Sequence, residues 1–98
     1  MKVIIKKSIN PDKKYDAIFD DNKTLSFGAN GYSDYTIHKD DIRKEHYIDR
    51  HRKNEDYNKS GIKSAGFLSR WILWNKPTIQ ESIDFLNNKY KDVEFILG

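Results

Sequence analysis

Lys14-Tyr-Asp-Ala-Ile-Phe-Asp-Asp-Asn-Lys-Thr-Leu-Ser-Phe27 holds two alternating runs around a turn. Tyr15, Ala17 and Phe19 share one face of the first run, and Leu25 and Phe27 share one face of the second. Successive side chains of a strand point to opposite faces, so each run reads as a strand with one apolar side. The Asp20-Asp21-Asn22-Lys23 cluster between them is turn chemistry, and the two strands read as a hairpin. Upstream, Val3-Ile4-Ile5 is a β-branched run, separated from the hairpin by a turn at Asn10-Pro11-Asp12. These pieces predict a small N-terminal antiparallel sheet.

Downstream the period changes from two to about 3.6. Thr78-Ile-Gln-Glu81 has the pattern of a capping box, with Pro77 just before it. Ile79, Ile83, Leu86 and Tyr90 then recur on one narrow arc, which predicts an amphipathic helix over 79–90 with a single core face. Residues 66–75 differ. As a helix they place Phe67, Leu68, Trp71, Ile72, Leu73 and Trp74 almost all the way round, so this segment belongs in the core or under a partner. Val93, Phe95 and Leu97 alternate again and can supply a closing strand. The expected architecture is a single α+β domain over 1–98: a small N-terminal antiparallel sheet, three helices, and a C-terminal strand if 93–97 pairs. Phe67, Trp71, Trp74 and the 79–90 stripe would meet Tyr15, Phe19, Leu25 and Phe27 in the core.

Composition narrows the function. Ninety-eight residues suit one domain. Charged residues make up 34% and aromatics 13%, an aromatic load that argues against a disordered tail. The chain has no Cys, which excludes disulfide scaffolds, Cys-based zinc fingers and thiol nucleophiles. Met1–Lys7 holds three apolar residues between lysines, short of the roughly 7–15 of a secretory signal. Trp71–Trp74 is far below the ~20 residues that span a bilayer. A soluble intracellular protein with no membrane partner is expected. Lysines outnumber arginines 14 to four, a bias expected of AT-rich coding, so a lysine says little about function. The arginines Arg43, Arg50, Arg52 and Arg70 say more.

Three of those arginines fall in residues 40–53, the third predicted helix. Ile42, Tyr47 and Ile48 point in three directions on its wheel, so it has no core stripe. Arg43, Lys44, Tyr47, Arg50 and His51 share one side, and Asp41, Glu45 and Asp49 share another. A helix polar all round needs ion pairs or a partner to be stable. Two readings stand: a solvated helix laced by weak ion pairs, or a basic and aromatic stripe against a phosphate backbone or an acidic protein face. The nucleic-acid candidates are Lys39, Arg43, Lys44, Tyr47, Arg50, His51, Arg52 and Lys53, with Arg70 and Lys76 adjacent. Against them, Asp40, Asp41, Glu45, Asp49, Glu55 and Asp56 are interleaved.

Other chemistry is weakly supported. His46 and His51 are five positions apart, not the i,i+4 of a helical zinc pair, so no metal or other cofactor is expected. No nucleophile elbow frames a serine, so no catalytic residue is assigned. In Phe27-Gly-Ala-Asn-Gly-Tyr-Ser-Asp-Tyr35, Gly28 and Gly31 could free amides for a phosphate, but the loop lacks a Gly-Lys-Ser/Thr ending. A structured loop is the simpler reading, with Tyr32 and Tyr35 as core or rim aromatics.

Three stretches resemble a family of small uncharacterised proteins encoded by giant nucleocytoplasmic DNA viruses: Gly31-Tyr-Ser-Asp-Tyr-Thr-Ile-His-Lys39, Arg43 through Lys53, and Ser64-Ala-Gly-Phe-Leu-Ser-Arg-Trp-Ile-Leu-Trp-Asn-Lys-Pro-Thr78. The resemblance spans about residues 14–90. It implies a viral origin, a place in the viral factory of the host cytoplasm or in the virion, and no catalytic residue. The function expected is non-enzymatic binding of nucleic acid, DNA ahead of RNA. The alternative is a minor capsid or assembly protein that contacts viral structural proteins, and a homo-oligomer is compatible with either.

Overall fold

The computed structural model describes residues 1–53 and 56–98. Three strands open the chain: β1 (Lys2–Lys7), β2 (Lys13–Phe19) and β3 (Thr24–Ala29). The β2–β3 hairpin sets Tyr15 opposite Phe27 and Ala17 opposite Leu25. Its turn works as the residue types require. Asn22 takes a left-handed φ of 68°, and its N–H donates to the Phe19 carbonyl. The Asp21 carboxylate accepts from the Lys23 N–H, while Asp20 accepts from the Lys2 N–H and ties down the start of β1. β1 runs antiparallel to β2 with Val3 opposite Phe19 and Ile5 opposite Ala17, so the apolar faces coincide.

The closing strand forms as β4 (Glu94–Leu97), and it corrects one expectation. It lies parallel to β1, with Val3 opposite Phe95, in a sheet ordered β3-β2-β1-β4. The sheet is therefore mixed, not antiparallel throughout. Alternation fixes which face a residue takes but not the direction of its strand. The outer edge of β4 is covered by one side chain. The Asn87 amide both donates to the Phe95 carbonyl and accepts from the Phe95 N–H, at 3.0 and 2.8 Å. That replaces the neighbouring strand an open edge would recruit.

Among the described residues four α-helices form where three helices were expected. The added one, α1 (Tyr35–His38), is a single turn, capped by Asp34 and closed by Lys39 in the left-handed region. Next come α2 (Asp41–His51), α3 (Ala65–Leu68) and α4 (Ile79–Lys89). α3 continues through a π-helical turn over Ser69–Leu73, and the Trp74 N–H bonds five residues back to the Ser69 carbonyl. At α4 the Thr78 hydroxyl accepts from the Glu81 N–H at 3.2 Å, the cap the sequence announces. Among the described residues no return bond from Glu81 forms.

One face of the sheet packs on this layer. Val3, Ile5, Ala17, Phe19, Phe27 and Phe95 meet Phe67, Leu68, Ile72, Leu73, Ile83 and Leu86. Trp71 and Trp74, expected in the centre, are half-buried at its margin. Trp71 stays where its indole N–H can reach the Tyr57 carbonyl at 2.9 Å, a bond the apolar centre does not offer. The opposite sheet face carries the buried Asp16, held by the hydroxyls of Ser8 and Ser26 at 2.6 Å each. These donors hold its carboxyl below the usual range.

Candidate nucleic-acid interface

None of the α2 residues is buried. The helix starts at Asp40, whose carboxylate accepts from the N–H groups of Ile42 and Arg43. Among the described residues, three contacts fasten it to the body. The Tyr35 hydroxyl donates to Asp41 at 2.7 Å, and this bond holds the phenol above its usual range. The Lys44 ammonium passes over the Tyr35 ring and donates to the Asn75 carbonyl at 2.7 Å. The Tyr47 ring lies flat on Trp74, with centroids 4.2 Å apart and planes 3° apart. The His51 ring leans on Tyr47 in turn, 4.3 Å away and tilted by 33°. The three rings Trp74, Tyr47 and His51 make a column along one flank of the helix.

Beside this column an open cleft of about 440 Å³ separates α2 from the loop that follows β3. Arg43, Tyr47, Arg50 and His51 form the helical wall. Gly28, Ala29, Tyr32 and Ser33 form the opposite wall, and Leu73 and Trp74 lie between them. The stripe on the helix and the glycine loop, singled out separately in the sequence, thus face one space. The loop is a structured turn, as expected. The Tyr32 N–H donates to the Ala29 carbonyl, with Gly31 at φ 91° in the third position. The Asn30 amide donates to the Pro11 and Lys13 carbonyls and ties the loop to the start of β2. Tyr32 stands exposed on the lip, while Tyr35 is buried.

The charges in the cleft are unequal in availability. Asp34 is buried and fully engaged. Its carboxylate accepts from the Thr36 N–H and hydroxyl and from the Lys14 ammonium, the last at 2.5 Å. Among the described residues neither Arg43 nor Arg50 forms an ion pair. They are seven positions apart on one helix, which places them on nearly the same face and ~10 Å apart along the axis. The three α2 acids Asp41, Glu45 and Asp49 lie outside this cleft lining.

The remaining sequence candidates go elsewhere. Lys39 closes α1 and donates to the Thr36 carbonyl. Lys44 is a fastener, and burial, then the charges of Arg70 and Lys76, hold its pKa below the ordinary value. Arg52 pairs with Asp49 at 3.7 Å, and Lys53 is exposed beyond the end of α2. Arg70 lies over the Trp71 ring and donates to the Trp74 carbonyl at 3.0 Å. Burial lowers its pKa, and it braces the turn that presents Trp74. Lys76 lies over Phe85, away from the cleft. Glu55, one of the interleaved acids, is outside the described residues. Lys14, Tyr32 and Trp74 line the cleft without having been singled out for binding. The described residues contain no group of three or more His, Cys, Asp or Glu side chains that could hold a metal ion, and no helix among them is long and apolar enough to cross a membrane.

No curated protein and no solved structure matches the chain. A family model does match, from residue 3 in β1 to residue 51 at the end of α2, and so includes both walls of the cleft. That is half of the 98 residues, and the protein belongs to this family, described as a family of unknown function (DUF5754).

Proposed function

We propose that this protein is a non-enzymatic nucleic-acid-binding protein of viral origin, acting in the viral factory or the virion, and that the cleft beside α2 holds its ligand. The observation that carries this reading is the pair Arg43 and Arg50. Both line the same recess, without ion pairs among the described residues, beside a column of aromatic rings. Guanidinium groups neutralise phosphate, and the exposed Tyr32 ring on the lip offers a face on which a base can stack. DNA is favoured over RNA by the association with DNA viruses. The alternative, a minor capsid or assembly protein, is less favoured: Phe67, Leu68, Ile72 and Leu73 of the 66–75 segment are buried in the protein's own core, while Trp71 and Trp74 stay half-buried.

Titration of labelled DNA and RNA, each single- and double-stranded, at low and moderate salt tests the reading. Binding at low salt is expected, weakening as salt rises. Arg43→Ala with Arg50→Ala should flatten the dependence of log K on log salt by roughly 1.4–1.8, two phosphate contacts' worth. No binding at low salt, or binding indifferent to the two arginines, would overturn it.

A further inference from the structure

A second recess, of about 300 Å³, opens on the other side of the glycine loop. Its lining includes Lys7, Lys13, Tyr15 and Asn30, and it shares Lys14 and Asp34 with the first cleft. The two recesses are therefore neighbours across a single ion pair. That pair is no electrostatic barrier to an anion, because the Asp34 charge is met by Lys14 at 2.5 Å and by two further donors on Thr36. Among the described residues Lys7 and Lys13 form no ion pair, as with Arg43 and Arg50. The cations available to a ligand thus extend from Arg50 and Arg43, past Lys14, to Lys13 and Lys7. This explains a feature of the sequence that α2 leaves unused. Residues 1–15 carry five lysines and one aspartate, and three of those lysines, Lys7, Lys13 and Lys14, line the recesses.

Each recess combines basic side chains with a tyrosine at its wall. Tyr32 stands exposed on the lip of the first, whose wall is stiffened by Tyr47 between Trp74 and His51, and Tyr15, backed by Phe27, lines the second. Recesses of this size accept small flat groups. A duplex keeps its bases stacked inside and presents only its backbone, whereas a single strand can place unstacked bases in such recesses. Resting on the reading of the α2 cleft given above, we infer that the ligand is a single strand several nucleotides long. It continues from that cleft across the Lys14–Asp34 pair into the Lys7–Lys13 recess.

The test is a series of oligothymidylates from about 4 to about 16 nucleotides, bound to the full chain, to Lys7→Ala with Lys13→Ala, and to Arg43→Ala with Arg50→Ala. Affinity should rise with length and then level off. The lysine variant should bind the shortest strands like the parent but lose the gain from length. For long strands its salt slope should fall by about 1.4. Lys7→Arg with Lys13→Arg should restore both, and unchanged thermal unfolding of the lysine variant would show that the fold is intact. Long strands that bind the lysine variant as tightly as the parent, while the arginine variant fails, would overturn the extension and leave the cleft. Tighter binding of duplex than of single strand would overturn the choice of ligand. Failure of every strand to bind would overturn the cleft reading itself.

Discussion

Removing the Tyr47 ring should undock α2 while leaving the sheet intact. No α2 side chain belongs to the core cluster, and the helix is held by the Tyr47–Trp74 stack, the Lys44 bond to Asn75 and the Tyr35 bond to Asp41. An aromatic pair is worth ~1 kcal/mol beyond its area. Tyr47 is half-buried, and half of a full side-chain burial adds ~1 kcal/mol. Tyr47→Ala should therefore favour opening by about 2 kcal/mol, or roughly 30-fold at 1.4 kcal/mol per decade. Amide hydrogen exchange reads this directly, because local opening is seen only by the amides it exposes. Amides of α2 from Glu45 onward should exchange about 30-fold faster, while those of β1 and β2 hold their rates. Lys44→Met, which keeps the stem and removes the ammonium, should act on the same amides. Equal acceleration in the sheet would refute the argument by showing that α2 unfolds only with the core. Unchanged rates in α2 would show that the stack does not hold it.

Three further outcomes are expected. At Gly28, φ is 76° and an added Cβ would lie 2.8 Å from Leu73 Cδ1, whereas at Gly31, φ is 91° and nothing is within 4 Å. Gly28→Ala should cost about 2–5 kcal/mol and Gly31→Ala about 1–2, so thermal unfolding should rank them in that order. His38 Nδ1 accepts from the Asp40 N–H at 2.9 Å, and burial, then Arg43, holds its pKa below the ordinary value. The folded state thus favours the neutral ring. Its stability contribution is complete above the ordinary value near 6.5 and declines as pH falls below it. His38→Asn keeps an acceptor for the same N–H, and urea midpoints measured on both sides of that value should lose part of their pH dependence. Asn87→Leu should strip the cover from β4 at a cost of about 1–3 kcal/mol, and sedimentation should then show concentration-dependent association through the bare edge.

The sequence was most legible where a short period met a clear stop. The β2–β3 hairpin and the Thr78-capped helix needed only alternation, turn residues and a cap. The polar character of α2 was equally plain, because a helix without a stripe cannot hide one. The mixed pairing of the sheet was not legible, since Phe95 and Leu97 face the same way in either strand direction. Helix α1 was too short to show a period, and its signals are the Asp34 cap and the left-handed Lys39. For the site, helical spacing grouped Arg43, Tyr47, Arg50 and His51. It could not show that Lys44 turns inward or that Arg70 braces a tryptophan, because both depend on which elements meet. The convergence of the glycine loop with α2 is likewise tertiary: nothing in the spacing of Gly28 and Arg43 brings them to one recess.

The family match ends where the physical unit does not. Residues 3–51 supply β1–β3, the glycine loop and α2, and with them every cation that lines the two recesses. They also supply an apolar sheet face, with Val3, Ile5, Ala17 and Phe27 wholly buried, that needs a cover. The cover comes from Phe67, Leu68, Ile72, Leu73, Ile83 and Leu86, all beyond the match. So does Trp74, against which α2 is stacked. The first half therefore carries the charge chemistry and the second half the surface that fixes its geometry. Any chain that keeps this sheet and this helix must provide an equivalent apolar layer and an equivalent flat anchor, even where its sequence beyond the match differs. The matched segment thus holds both walls of the α2 cleft but not the apolar layer on which its sheet packs.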